Sequence, residues 1–358
     1  MPGNSLGEAF RITTFGESHG AALGLVVDGC PPGVPLSEED FLEPLSRRRP
    51  GNYLFSSPRQ EEDKVELLSG VFEGLTTGCP IALIVRNRDQ RSEHYEPLRD
   101  IFRPGHADIA YFQKFGIRDH RGGGRASSRE TVARVAAGVV AGRILEPLGV
   151  KVKAYTVELA AIKAMAQDLS FADENPIRCP DREAYVQMEA ALKKAYEDMD
   201  SVGGIVEIIA ENIPAGLGEP VFDKLEADLG KAILSVGAVK AVEFGAGFEA
   251  ARLLGSQNND PILNRPGAKG LDPVYGSNNS GGILGGISNG DPIIIKVGIK
   301  PIPSIGRPQK TIDKQGRPCE LKLKGRFDVC AIPRILPVLE AMVLVVLADH
   351  FLRQRRIG

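Results

Sequence analysis

Apolar and polar positions alternate along Phe10–Phe15 and again along Leu23–Val27, on either side of Gly16-Glu17-Ser18-His19-Gly20. A period of two is the mark of a half-buried strand, so the pattern predicts two strands joined by a glycine turn that carries Ser18 and His19 at a sheet end. Pro31-Pro32-Gly33 makes a turn, and Ser37 caps a predicted helix through Leu45 that stops at Arg47-Arg48-Arg49-Pro50-Gly51. Residues 52–64 read as loop, Val65–Ser69 and Ile81–Val85 as strands, and Arg86–Arg103, almost without apolar period, as a long surface or lid loop. Val150–Val157, Ile205–Ile213 and Ile293–Ile299 are strand-like, and 167–182 is loop-like. Two amphipathic helices are expected: Ala184–Met199, with Tyr185, Met188, Leu192 and Tyr196 inward, and Phe222–Leu234, with Phe222, Leu225, Leu229 and Ile233 inward. Residues 255–290 form a Gly-, Asn- and Ser-rich stretch whose length suggests service to a ligand. Ile335–Leu352 is the longest apolar stretch, and Pro337, Glu340, Asp349 and His350 interrupt it. It falls short of the ~20 apolar residues of a membrane span and reads as a buried helix.

The stretch from Arg103 to Gly142 departs from ordinary patterning. Gly122-Gly123-Gly124 lies between Arg121 and Arg125 and runs into Ser127-Ser128-Arg129-Glu130, where Ser127 and Glu130 stand at capping-box spacing. Val132, Val135, Ala136, Val139 and Val140 then recur at helical spacing, which predicts a helix with one buried face. Its N-terminus would aim free N–H groups and a positive dipole end into a glycine turn flanked by arginines, a natural phosphate holder. The alternative is a capped core helix after a plain turn. His106 follows an Arg-Pro-Gly turn one loop upstream. A histidine beside a phosphate site suits proton transfer near neutral pH.

Composition narrows the choice. The 358 residues carry a net charge of -2, with 42% hydrophobic and 25% charged residues, an ordinary globular balance that disfavours a general nucleic-acid binder. Arginines therefore count by position: Arg48, Arg49, Arg103, Arg125, Arg129 and Arg326 all fall at expected loop or element ends, where forked donors grip phosphates and carboxylates. Together they imply a small polyanion. Cys30, Cys79, Cys179, Cys319 and Cys330 are odd in number and without a CxxC pair, which argues against disulfides and zinc and for a reducing, cytoplasmic setting. No secretory signal is expected in residues 1–20, no metal motif occurs, and no linker divides the chain.

Two motifs compete for the function. Gly16–Gly20 matches G-x-S-x-G, but a nucleophile elbow needs several strands before it and a helix after it, and here a strand follows near the chain start. Gly245-Ala246-Gly247-Phe248-Glu249-Ala250 after a strand-like run would suit an NAD(P)-dependent dehydrogenase, although no second strand follows at the distance that carries the ribose-binding acid. A non-catalytic phospholigand- or RNA-binding module built on the Arg-Gly loops is the third reading. His94, His120 and His350 read as surface or core histidines.

TTFGESHG, RRRPG, GVFEGLTTG, RPGHAD, RGGGRASSRET, PAGLGEPVFD, SGGILGGIS and KGRFD, in this order from about Gly3 to Arg355, resemble chorismate synthase. The resemblance implies one α+β domain over residues 1–358, a β-α-β sandwich with helices between antiparallel sheets, assembled as a homotetramer. It implies an anti-1,4 elimination of phosphate from 5-enolpyruvylshikimate 3-phosphate to give chorismate, with reduced FMN as a transient electron donor. No separate reductase domain is visible, so an external flavin reductant is expected in place of NADPH-driven reduction by the chain itself. Carried over by motif, His19 would protonate the departing phosphate and His106 the anionic reduced flavin. Asp328 with Ser18 would take the proton from flavin N5. FMN contacts map to Arg125, Ala126, Ser127, Ala238, Gly285, Lys300, Pro301, Ile302, Pro303, Ser304 and Arg326, and substrate contacts to Arg48, Arg49, Arg103 and Arg129. The chain departs from the family pattern at Ile302 and Pro303, which replace hydroxyl residues, at Phe327, which replaces a histidine, and at Leu54, where an arginine is common.

Overall fold

Arg11–Gly16 and Ala22–Asp28 form the expected antiparallel pair, with Thr14 opposite Leu25 and Gly16 opposite Leu23. The computed structural model describes residues 3–49, 51, 61–88, 92–323 and 327–357. Ile81–Arg86 pairs with the far side of Ala22–Asp28, and Val65–Leu67 and Ser5–Leu6 close the two edges of this first sheet. A second five-stranded sheet runs in the order Val239–Phe244, Ile293–Ile299, Gly204–Glu211, Lys151–Leu159, Ile162–Lys163. All pairings in both sheets are antiparallel. Ile293, Ile295, Val297 and Ile299 are buried while their neighbours are less so, which is the pleat seen in the sequence.

Two long helices fill the space between the sheets. Thr131–Leu145 packs on Ala22–Asp28 of the first sheet, and Ile332–Ile357 packs on Lys151–Leu159 and Gly204–Glu211 of the second. The helices also pack on each other, and their closest approach requires a glycine: a Cβ on Gly138 would lie 2.4 Å from that of Ala341. This is an α+β sandwich with a helical centre, as expected.

The differences from expectation are instructive. The central helix is buried almost all round, Ala133, Ala137 and Ala141 as well as the valines, because it is enclosed on several sides. Its capping box does not form. Ser127 Oγ accepts from the Arg129 N–H at 3.3 Å, but Glu130 reaches Arg134 Nε at 2.6 Å, and the helix proper starts at Thr131 after a short 3-10 turn. The C-terminal helix spans 26 residues and runs through Pro337, long and apolar enough to cross a membrane by length and composition, yet 89% of its apolar window is buried inside the protein. Arg182–Glu197 buries Met188 and Leu192, while Tyr196 is exposed at the last turn. The helix expected from Phe222 starts at Leu225, so Phe222 is 90% exposed. Residues 255–290 hold two short hairpins, Ile262–Asn264 with Pro273–Tyr275 and Ile283–Leu284 with Ile287–Ser288. Burial pushes the Asp260 carboxyl up, but hydroxyls of Ser277 and Ser280 and N–H groups of Asn279 and Ser280 pull it down to about 2, pinning this stretch. The lid expected over 86–103 contains a 3-10 segment, Ser92–Leu98, and 167–182 a helix, Leu169–Glu174. The loop expected at 52–64 lies outside the described residues over 52–60, and the Lys324–Asp328 turn over 324–326.

The dehydrogenase reading loses its basis here. Val239–Phe244 pairs antiparallel with Ile293–Ile299, and a Cβ on Gly247 would strike the Glu243 side chain at 2.6 Å, so this is no βαβ dinucleotide turn.

Candidate active site

His19 is held in the turn between the first two strands of the first sheet, 8% exposed, with Ser18 buried beside it. Gly122 packs closely against its imidazole. A Cβ there would stand 2.1 Å from His19 Cε1 and 3.2 Å from Ser18 Oγ, so the glycine loop can close over the histidine only without a side chain. Gly122, Gly123 and Gly124 all have positive φ, at 64°, 83° and 53°. On its other side the imidazole meets the Tyr95 ring edge-to-face, with centroids 5.0 Å apart.

Beneath this turn is a buried polar floor. Arg48 Nη2 and Arg129 Nη1 bond the two oxygens of Asp63 at 3.0 and 2.5 Å, and Glu61 lies 3.4 Å from Arg129 Nη2. Both guanidiniums and Asp63 are almost fully buried, at 2%, 3% and 2% exposure. Burial pushes the Arg48 guanidinium down to about 10, with Asp63 opposing and Arg334 and Arg129 adding, so it stays charged at neutral pH. Burial raises the Asp63 carboxyl, but Arg48 and Arg129 outweigh it and hold the group below its ordinary value. Arg129 Nε donates to Asn87 Oδ1 at 2.9 Å, and Asn87 Nδ2 donates to the carbonyls of Glu17 and Gly20 at 2.9 and 2.8 Å. Arg48 and Arg129, expected as substrate contacts, thus have their charge taken up inside the protein. Asp63 and Asn87 gave no signal of this in sequence, since one follows two glutamates and the other ends a strand.

The opposite wall is built differently. Arg103 holds Asp108 through Nε at 2.8 Å and Nη2 at 2.9 Å, and Arg118 Nη1 shares the same carboxylate at 2.8 Å. Arg103 Nη2 is 3.4 Å from where a Gly123 Cβ would be, which joins this wall to the glycine loop. His106 Nε2 lies 2.9 Å from Ser304 Oγ and its Nδ1 3.1 Å from the Pro104 carbonyl. Burial, then Arg103, pushes its imidazole down to about 4, so it is neutral at pH 7. Lys300 Nζ donates to the Gly105 carbonyl at 2.9 Å, Pro303 packs on Gly105, and Lys300 N–H donates to the carbonyl of Ala238, a left-handed residue with φ 73°. The Ile302 carbonyl accepts from Ser201 Oγ at 2.6 Å, so its backbone, not its side chain, is engaged. Pro301 is exposed.

The remaining expected residues divide. Arg334, on the first turn of the C-terminal helix, bonds the Asp328 carboxylate and donates from Nε to the Arg48 carbonyl at 3.4 Å, placing Asp328 beside the floor. Arg125 turns to the first sheet, donating to Gly16 O at 3.1 Å and Thr14 Oγ1 at 2.7 Å, and Ala126 is exposed. Ser127 Oγ is spent on the cap. Gly285 belongs to a separate neighbourhood, in the hairpin whose Gly286 packs on Lys224. Arg49 lines a cavity of about 160 Å³ with Arg47, Arg178 and Arg334. Arg326 and Leu54 lie outside the described residues. His120 pairs with Glu96 at 3.2 Å, and buried His350 with Asp228 at 2.9 Å, as peripheral histidines should. The donor set of the wall, a lysine ammonium, the Ser304 hydroxyl and bare glycine backbone, fits a phosphate-bearing planar cofactor.

A buried histidine and a second, half-buried one, set among arginines and a glycine loop, are the makings of an enzyme's site. The chorismate synthase family model matches residues 10–352. The chain is 54% identical over 357 residues to the chorismate synthase of Desulfatibacillum aliphaticivorans, covering 100% of this chain and 98% of that protein. It is 56% identical over 352 residues to that of Syntrophobacter fumaroxidans, covering 98% of each. A solved crystal structure of chorismate synthase superposes with a TM-score of 0.78 at 32% identity, covering 97% of this chain and 93% of that one. The chain belongs to the chorismate synthase family, and is a carbon–oxygen lyase.

Proposed function

We propose that this chain eliminates phosphate from 5-enolpyruvylshikimate 3-phosphate to give chorismate in the shikimate route to aromatic amino acids. We read it as a single cytoplasmic domain over residues 1–358 that works as a homotetramer. The observation that carries the reading is the contact chain from His19 through Gly122 and Gly123 to Arg103 and His106, which links the two histidines in one neighbourhood. Reduced FMN, when bound, would supply a transient electron and recover it, so the reaction needs no net reductant. Lys300, Ser304 and the Ala238 backbone would hold it, with Arg326, from the same family motif as Asp328, as a further contact.

In this reading His19, packed closely by Gly122, gives a proton to the departing phosphate oxygen. His106, kept neutral in the free protein by burial and then by the Arg103 charge, takes up a proton when a bound anion offsets that charge. Asp328, oriented by Arg334, and Ser18 accept the proton that the elimination releases. Arg103, sharing one carboxylate with Arg118, keeps positive charge for the substrate. One core cluster continuous across both sheets supports a single domain, and the exposed apolar residues Phe248, Leu254, Ile262, Leu263 and Leu271 support association.

The test is an anaerobic assay with 5-enolpyruvylshikimate 3-phosphate and chemically reduced FMN, following chorismate and phosphate, beside an oxidised-FMN control. Product with reduced flavin alone is expected. No product from folded, FMN-binding protein would overturn the reading, and NADPH-driven turnover in air by the pure chain would remove the need for an external reductant.

A further inference from the structure

We propose that Asn87 is a positioning residue for His19, a role that rests on the assignment of His19 to the chemistry. Asn87 lies just past the strand Ile81–Arg86 and is 9% exposed. Its side-chain amide donates both N–H groups, one to the Glu17 carbonyl at 2.9 Å and one to the Gly20 carbonyl at 2.8 Å. Its own backbone N–H donates to the Ala21 carbonyl at 3.1 Å. One residue therefore fastens both ends of the turn that presents Ser18 and His19. The turn contributes one internal bond, from the Gly20 N–H to the Glu17 carbonyl at 3.1 Å.

The orientation of the amide is dictated. Asn87 Oδ1 accepts from Arg129 Nε at 2.9 Å, and a flipped amide would face a guanidinium with N–H groups and two carbonyls with an oxygen. Arg129 cannot turn away, because Asp63 holds it at 2.5 Å and is itself held by Arg48. The buried ion network, whose arginines the sequence pointed toward the substrate, serves here as the anchor of the clamp. His19 has a narrow allowance for movement: Gly122 lies against one side of its ring and Tyr95 meets it at 5.0 Å. A displacement of about 1 Å in a reacting group can cost about 10²-fold in rate. Loosening the turn should therefore act on turnover before it acts on binding.

The test uses Asn87→Asp and Asn87→Ser in the full chain. The carboxylate keeps an acceptor for Arg129 and loses both donors to the turn, while serine keeps one donor. With histidine labelled at Cε1, the His19 resonance is assigned by its loss in His19→Asn, and its position reports the edge of the Tyr95 ring. Asn87→Asp is expected to shift the His19 signal and leave that of His106 in place, in protein without any ligand. Its kcat should fall by about 10²-fold with KM changed far less, and Asn87→Ser should lie between it and the parent. An unmoved His19 signal, or turnover within about twofold of the parent, would overturn the proposal. So would failure of both variants to fold, which would make Asn87 a structural residue only. The resonance needs no turnover, so it tests the clamp even if the proposed elimination is wrong.

Discussion

The floor beneath the His19 turn and the wall beside His106 use the same residue types to opposite ends. On the floor, two guanidiniums meet two carboxylates, Arg48 and Arg129 against Asp63 and Glu61, all buried, and the charges close on themselves. Among the described residues, Arg103 and Arg118 on the wall share the carboxylate of Asp108, and Lys300 meets a carbonyl there, so positive charge is left over. A buried closed network adds rigidity and little net attraction. An open one attracts anions. The carboxylates that reach an arginine thus decide how much of its charge is left over.

The largest effects should come from the two histidines that the regions present. His19→Ala and His106→Ala are each expected to lower kcat by about 10²–10⁴-fold while the protein folds normally. Steady-state rates with thermal melts check this, and near-normal turnover in either variant removes that residue from the mechanism.

Breaking a carboxylate on each side sharpens the contrast. Asp63→Asn leaves two buried guanidiniums facing a neutral amide and should cost about 3–5 kcal/mol in urea unfolding. Added inorganic phosphate should not restore it, because the floor is closed to solvent. Asp108→Asn should also destabilise, but phosphate should recover part of the loss by occupying the cation-rich wall. Equal rescue of both variants, or of neither, would erase the distinction between the regions.

Much of the scaffold was legible because it rests on short-range pattern. The strand from Ile293 to Ile299 alternates in burial, and Leu23, Leu25 and Val27 share a buried face of their strand. The site was legible through its glycines and histidines: a three-glycine run is hard to explain as packing, and its contact with His19 supplies the reason. What could not be read depends on contacts between distant segments. Glu130 turns to Arg134 rather than forming the capping box, Phe222 faces solvent because its helix starts later, and the Arg48 and Arg129 charges are met by Asp63.

A smaller effect distinguishes the walls by pH. The unfolded chain protonates His106 near 6.5, whereas the folded protein resists until about 4. Between these values the unfolded state binds the extra proton, so stability falls as pH is lowered through the window. The loss is at most about 3 kcal/mol. Urea unfolding at stepped pH should show a slope there that His106→Asn reduces, and an unchanged slope would place its origin elsewhere.

The smallest effect concerns the bond from His106 to Ser304. The Pro104 carbonyl can only accept, so the proton of the neutral imidazole sits on Nδ1, and Nε2 accepts from the Ser304 hydroxyl at 2.9 Å. When the ring is protonated both nitrogens donate, and the hydroxyl can rotate to accept. Ser304 therefore serves both states nearly equally and should not set the balance between them. Ser304→Ala is expected to cost about 1 kcal/mol of stability. It should leave the His106 midpoint low, because burial and Arg103 hold it there. A titration of the labelled His106 resonance that rose toward its ordinary 6.5 in Ser304→Ala would show the hydroxyl, not the cation-rich wall, to be what keeps this histidine neutral.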